Sequence, residues 1–262
     1  MVASMNPYRD VSLRYDSLIQ MVEFRYGARA QASILVLYDH LIALRSILAI
    51  DPDAHVVRSR ISNISNSISE RYRKHGFEPV YDHPTAIVGR DPVVIEFQRD
   101  IFEAKYRSVV DIVQAETVEL VKPDISFLKP GRPYMFVIDE DGRLLVWTRD
   151  FAFEELVFGR NRATVNGVPV GHPMLVPQRL RAIAAGEIVF IGSQTPQAAI
   201  VNNKSGHFRF PPSCRQVILD KCEEVLALSA EQVDIFIVGG IDDHHVHRSG
   251  RVATKESREG VS

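Results

Sequence analysis

The stretch YMFVIDEDGRLLVWT, residues 134–148, decides the fold class. Two short runs rich in aromatic and aliphatic residues, YMFVID and RLLVWT, flank Asp141-Gly142, a pair suited to the positive φ angles of a tight turn between antiparallel strands. The surrounding segments read alike: VDIVQAETVELV (110–121), EELVF (154–158), ATVNGVPV (163–170), AAGEIVFIG (184–192) and AAIVNN (198–203) are short, apolar and bounded by turn residues. A mostly antiparallel sheet is therefore expected across the middle of the chain.

The period is different upstream. Val11, Tyr15, Leu18 and Val22 fall on one helical stripe, Ile34, Leu37, Leu41, Leu44 and Leu48 on a second, and Val57, Ile61, Ile64, Ile68 and Tyr72 on a third, with Gly76 as the stop. Residues 1–76 thus read as a three-helix unit, and 77–95, with three prolines, as an ordered connector. EFQRDIFEAKYRSV (96–109) predicts a helix with Phe97, Ile101 and Tyr106 inward. Ser213 with Gln216 forms a capping-box pattern ahead of a late helix, and VDIFIVGG (233–240) reads as a buried strand. The α+β domain runs from 96 to 240, so the whole is an α+β protein: an N-terminal helical unit packed on a mostly antiparallel sheet domain. Residues 241–262 offer little to bury and are expected to be a mobile tail.

Composition narrows the partners. At 262 residues, 45% hydrophobic and 24% charged, the chain has the make-up of a globular protein, and a net charge of -2 supplies no basic field for wholesale nucleic-acid binding. No run approaches the ~20 apolar residues of a membrane span, and the first ten residues lack a secretory signal pattern. A cytoplasmic protein is expected, or one delivered into a host cell without such a signal. Cys214 and Cys222, roughly 12 Å apart on one helix at 1.5 Å rise per residue, are beyond disulfide reach and read as buried thiols.

The order of YMFVIDEDGRLLV, GHPMLV (171–176), AAGEIVF and NNKSGHFRF (202–210) ahead of a helix and a strand resembles the domain of the plant IQM proteins, IQ-motif calmodulin-binding proteins with relatives in fungi and bacteria. The resemblance covers roughly residues 100–240 and matches His172, Gly186, Ser205, Gly206 and His207 to the family's blocks. Pro173 and Met174 replace two serines of that pattern, and Phe208 replaces a tyrosine. It implies a regulatory or effector-like role through a partner. The namesake motif is degenerate: after Ile19-Gln20, Phe24 stands where an arginine is expected and Arg25 where a glycine is. Calmodulin binding is therefore not expected, and the segment reads as a bundle helix.

Two readings of the chemistry follow. Lys204, His207 and Arg209 precede the start of the late helix, whose open N–H groups favour an anion; with Asn203, Ser205 and Gly206 they make a candidate turn for an anionic or nucleotide ligand. Alternatively His172, Glu187 and His207 divide general acid, general base and orienting roles in a small metal-independent, toxin-like transferase or nuclease. Asp242, Asp243, His244, His245 and His247 read as an adventitious metal cluster, not a built site. Neither a phosphate-binding glycine loop nor a dinucleotide fingerprint appears, and no cofactor is expected.

Overall fold

A computed structural model describes residues 7–28, 30–75, 85–158 and 163–237. Its helices are α1 (Pro7–Tyr26), α2 (Gln31–Ile50), α3 (His55–His75), α4 (Arg99–Tyr106), α5 (Val110–Ala115), α6 (Phe153–Phe158) and α7 (Cys214–Leu226). Its strands are β1 (Thr85–Arg90), β2 (Val93–Phe97), β3 (Thr117–Leu120), β4 (Pro133–Asp139), β5 (Leu144–Trp147), β6 (Thr164–Val165), β7 (Val168–Pro169), β8 (Arg181–Ile191), β9 (Ala198–Asn202) and β10 (Val233–Phe236). The α+β architecture expected from the sequence is what forms.

The helical stripes dictate the first layer. Ile34, Leu37, Leu41 and Leu44 of α2 meet Val57, Ile61, Ile64 and Ile68 of α3 in one continuous core that also takes in the sheet. Fully burying each such aliphatic side chain contributes about 1.5–3 kcal/mol. α1 contributes Tyr15 and Val22 and is tied down by polar contacts: Tyr15 Oη donates to Asp39 at 2.5 Å, and Arg71 pairs with Glu23 at 2.5 Å. By length and composition α2 is apolar enough to cross a membrane, contrary to the sequence expectation. Here Ile34, Leu37, Leu41 and Leu44 are buried in the core shared with α3 and the sheet, and its buried Arg45 pairs with Asp234 of β10.

The sheet is antiparallel through β1-β2-β8-β4-β5-β3, with β9 also on β8 and β10 parallel to β9. At the Asp141-Gly142 turn only Gly142 takes a positive φ, 78°, while the buried Asp139 carboxylate accepts the backbone N–H groups of Asp141 and Arg143. Met135 and Phe136 of β4 lie opposite Glu187 and Gly186 of β8, which puts Glu187 on a strand flanked on both sides.

Several local expectations are corrected. Of the expected connector 77–95, residues 77–84 lie outside the described residues and 85–95 belong to the hairpin β1–β2, which ends at Phe97 and is joined to the sheet through β2 and β8. EELVF is helical, as α6, because Glu154 and Glu155 sit in a first turn and Lys204 Nζ supplies donors to its later carbonyls. VDIVQAETVELV divides into α5 and β3. Phe97 ends β2 and is not part of the helix; α4 buries Tyr106 as expected and Phe102 besides, with Ile101 half-buried against the core. Ser213 makes no capping hydrogen bond; the capping box is built one helix later, by Ser229 and Gln232. Gly76 and the tail 241–262 with its histidine cluster lie outside the described residues.

Candidate functional site

The site begins with a close approach of backbone. A Cβ on Gly186 would lie 1.9 Å from the Asn202 carbonyl oxygen, so only glycine lets β9 come this near. The ladder between β8 and β9 ends at Ile188 and Val201, and the Asn202 side chain takes over: its Oδ1 accepts the Glu187 N–H at 3.1 Å and the Lys204 N–H at 2.9 Å. That bridge aims the next side chains inward. Lys204 reaches across to α6, where Nζ donates to the Glu155 and Leu156 carbonyls at 2.9 and 3.1 Å.

Two buried carboxyls share the space around this ammonium. Glu187 and Glu155 each keep one oxygen, Oε2 and Oε1, buried without a hydrogen-bond partner. Burial raises the Glu187 pKa from 4.5 to about 7; the Lys204 charge and the Asn202 amide oppose the rise, and the Glu155 charge adds to it. Burial likewise raises Glu155 to about 7, opposed by the Ala152 N–H and by Lys204. Tyr38 of α2 and Tyr72 of α3, ring centroids 6.0 Å apart, both feel the Glu187 charge, so the helical unit forms part of the site's wall.

His172 stands beside this cluster in a short 3-10 turn, His172–Leu175. Its Nε2 lies 3.1 Å from the Gly186 carbonyl, which only accepts, so Nε2 carries the proton. Burial, with the Lys204 charge as a smaller contribution, lowers its pKa to about 4, so the ring is neutral. His207 belongs to a second, aromatic cluster: Nε2 is 2.7 Å from Tyr106 Oη, and its ring meets Phe97 and Tyr106 edge-on. Gly171 makes room for it, since a Cβ there would sit 2.6 Å from His207 Cε1.

The three expected catalytic residues thus occupy two neighbouring clusters, with His172 between them. The candidate anion turn is tied inward: Ser205 Oγ accepts the Phe208 N–H at 3.0 Å, Asn203 Nδ2 donates to the Phe210 carbonyl at 3.4 Å, and Lys204 holds α6. Gly206 and Arg209 are half-buried along it. Sequence reading missed Glu155, which lies in a segment read as a strand, and Tyr106 and Gly171, which the fold brings to His207 from outside the turn. Among the described residues no group of three or more His, Cys, Asp or Glu is placed to hold a metal ion.

Buried and without disulfides, Cys214 and Cys222 are free thiols, and burial pushes the Cys222 pKa up to about 12, which makes it a poor nucleophile. Comparison of the chain with protein-family models, with curated proteins and with solved structures gave no match.

Proposed function

We propose that the protein is a metal-independent acid–base enzyme, a transferase or hydrolase acting inside a cell on a polar, nucleotide-type small molecule, with Glu187 as the proton carrier. One observation carries this reading: two buried carboxyls, each with an unpartnered oxygen, share the space around Lys204 with pKa values near 7. Unpartnered buried acceptors cost about 1–3 kcal/mol each, and such groups concentrate where chemistry needs them. A carboxyl that titrates near neutrality gives and takes a proton with equal ease, and its open oxygen accepts a hydroxyl or amino hydrogen from substrate. Lys204 then steadies the charge left on the pair, while neutral His172 fixes the Gly186 backbone beneath it.

The test is turnover of a nucleotide and dinucleotide mixture followed by mass spectrometry. Wild type is expected to convert a component with a pH inflection near 7, and Glu187→Gln to lose at least ~100-fold of the rate while keeping its fold. Conversion by Glu187→Gln at the wild-type rate would refute the assignment.

A second reading, a regulatory or effector-like protein acting through a partner, is favoured by the outer face of α1. Leu13, Met21 and Phe24 project there, and Phe24 is 95% exposed. The resemblance to the IQM domain supports the same reading. Ile19 packs against the core, so calmodulin titrated into the intact protein is expected to leave it unbound.

A further inference from the structure

A cavity of about 910 Å³ opens between α2, α3 and the ends of β9 and β10, apart from the acid cluster. Its walls are fixed in advance. Asp234 accepts Arg45 Nε at 2.8 Å and Ser65 Oγ at 2.9 Å, and Arg45 also donates to the Glu231 carbonyl at 2.9 Å. Gln232 of the capping box donates to the Gln197 carbonyl at 2.9 Å, anchoring the turn Ala230–Gln232 on the opposite wall.

The Arg45–Asp234 pair is buried and closed, with the two side chains 7% and 8% exposed, so it offers a ligand no net charge. What remains are two opposite charges at the lining. Arg58 is exposed on α3, steadied by its bond to the Pro52 carbonyl at 2.6 Å, and the Glu231 carboxylate is exposed on the 3-10 turn. Among the described residues neither has an ion-pair partner. Ser62 and Asn66 follow Arg58 along one stripe of α3, presenting neutral donors and acceptors above a floor that includes Leu48 and Ile61.

We propose that this cavity binds a zwitterion of short-peptide size. The carboxylate sits at Arg58, the ammonium at Glu231, and the amide groups between them face Ser62 and Asn66. A purely anionic ligand would leave Glu231 opposed to its charge. A nucleoside would find no aromatic ring for its base among the described residues of the lining. The volume lies within the ~300–1,000 Å³ of sites that enclose small molecules.

The test titrates the full chain with trialanine, N-acetyl-trialanine and trialanine amide by calorimetry. Trialanine is expected to bind saturably, and each blocked peptide about tenfold more weakly, the size of one lost charge-assisted contact. Arg58→Ala should erase the preference over the amide alone, and Glu231→Gln the preference over the acetylated form alone. Both side chains are exposed, so unchanged melting curves are expected for the two variants. Equal affinity for the three peptides, no saturable binding at millimolar concentration, or discrimination that survives both substitutions would overturn the proposal.

Discussion

Replacing Glu187 by glutamine keeps the shape of the side chain and removes its titration, so its effect on stability depends on pH in a direction the structure sets. The unfolded carboxyl titrates near 4.5 and the folded one near 7. Between those values the native state holds a proton that the unfolded chain has lost, and raising the pH through the window removes stability. A displacement of that size corresponds to at most about 3 kcal/mol, at 1.36 kcal/mol per pKa unit. His40 and His172, both lowered by burial from 6.5 to about 4, act oppositely. Their stabilising neutral form is lost as the pH falls through 6.5 towards 4, so the wild-type curve alone is a sum. The difference between variant and wild type removes the histidines and leaves Glu187 together with its coupling to Glu155, whose raised pKa acts in the same direction. Urea midpoints from pH 4.5 to 8 should show Glu187→Gln gaining on wild type with each step upward, by about 2–3 kcal/mol in all, and levelling off above 7. A difference curve that is flat across that range would show that burial does not raise the Glu187 carboxyl.

Gly186→Ala should lose roughly 3 kcal/mol or more in denaturant titration, because its Cβ meets the Asn202 carbonyl and the strand has no space to yield. Ser229→Ala should cost about 1 kcal/mol and Ser213→Ala only a few tenths, since only Ser229 makes its cap; equal losses would contradict the assigned caps. Tyr106→Phe should lower stability by about 1 kcal/mol through its lost bond to His207, while leaving the pH behaviour of Glu187 as it was.

How much of this was legible in the sequence differs from element to element. The α3 stripe from Val57 to Tyr72 states its helix outright, because a period of 3.6 sustained over about four turns has no competing reading. The β4–β5 hairpin is equally plain from Asp141-Gly142. EELVF is not, since five apolar and acidic residues fit a strand or a helical turn, and what settles it is Lys204, forty-eight residues from Leu156, reaching its carbonyls. Ser213 and Ser229 both open a Ser-x-x-Gln pattern, and tertiary placement alone decides which one caps. Pro92 reads as a breaker, yet it lies in the turn of a hairpin whose pairing to β8 no local pattern announces.

The candidate site was legible in part for the same reason. His172, Glu187 and His207 lie in segments with recognisable order, so their selection needs only the chain. Their grouping needs the fold: Glu155 joins Glu187 because Lys204 spans α6 and β9, and His207 leaves the group because Tyr106 of α4 holds its ring. Distances between residues about a hundred positions apart, such as Tyr106 and His207, are not written in any motif.

The proposed chemistry needs a Glu187 carboxyl that carries its proton near neutral pH. Carbon-13 NMR titration of the glutamate side-chain carboxyls tests this directly, with the Glu187 resonance assigned by its disappearance in Glu187→Gln. An inflection near pH 7 is expected for that signal, and one below pH 5 would overturn the role given to Glu187.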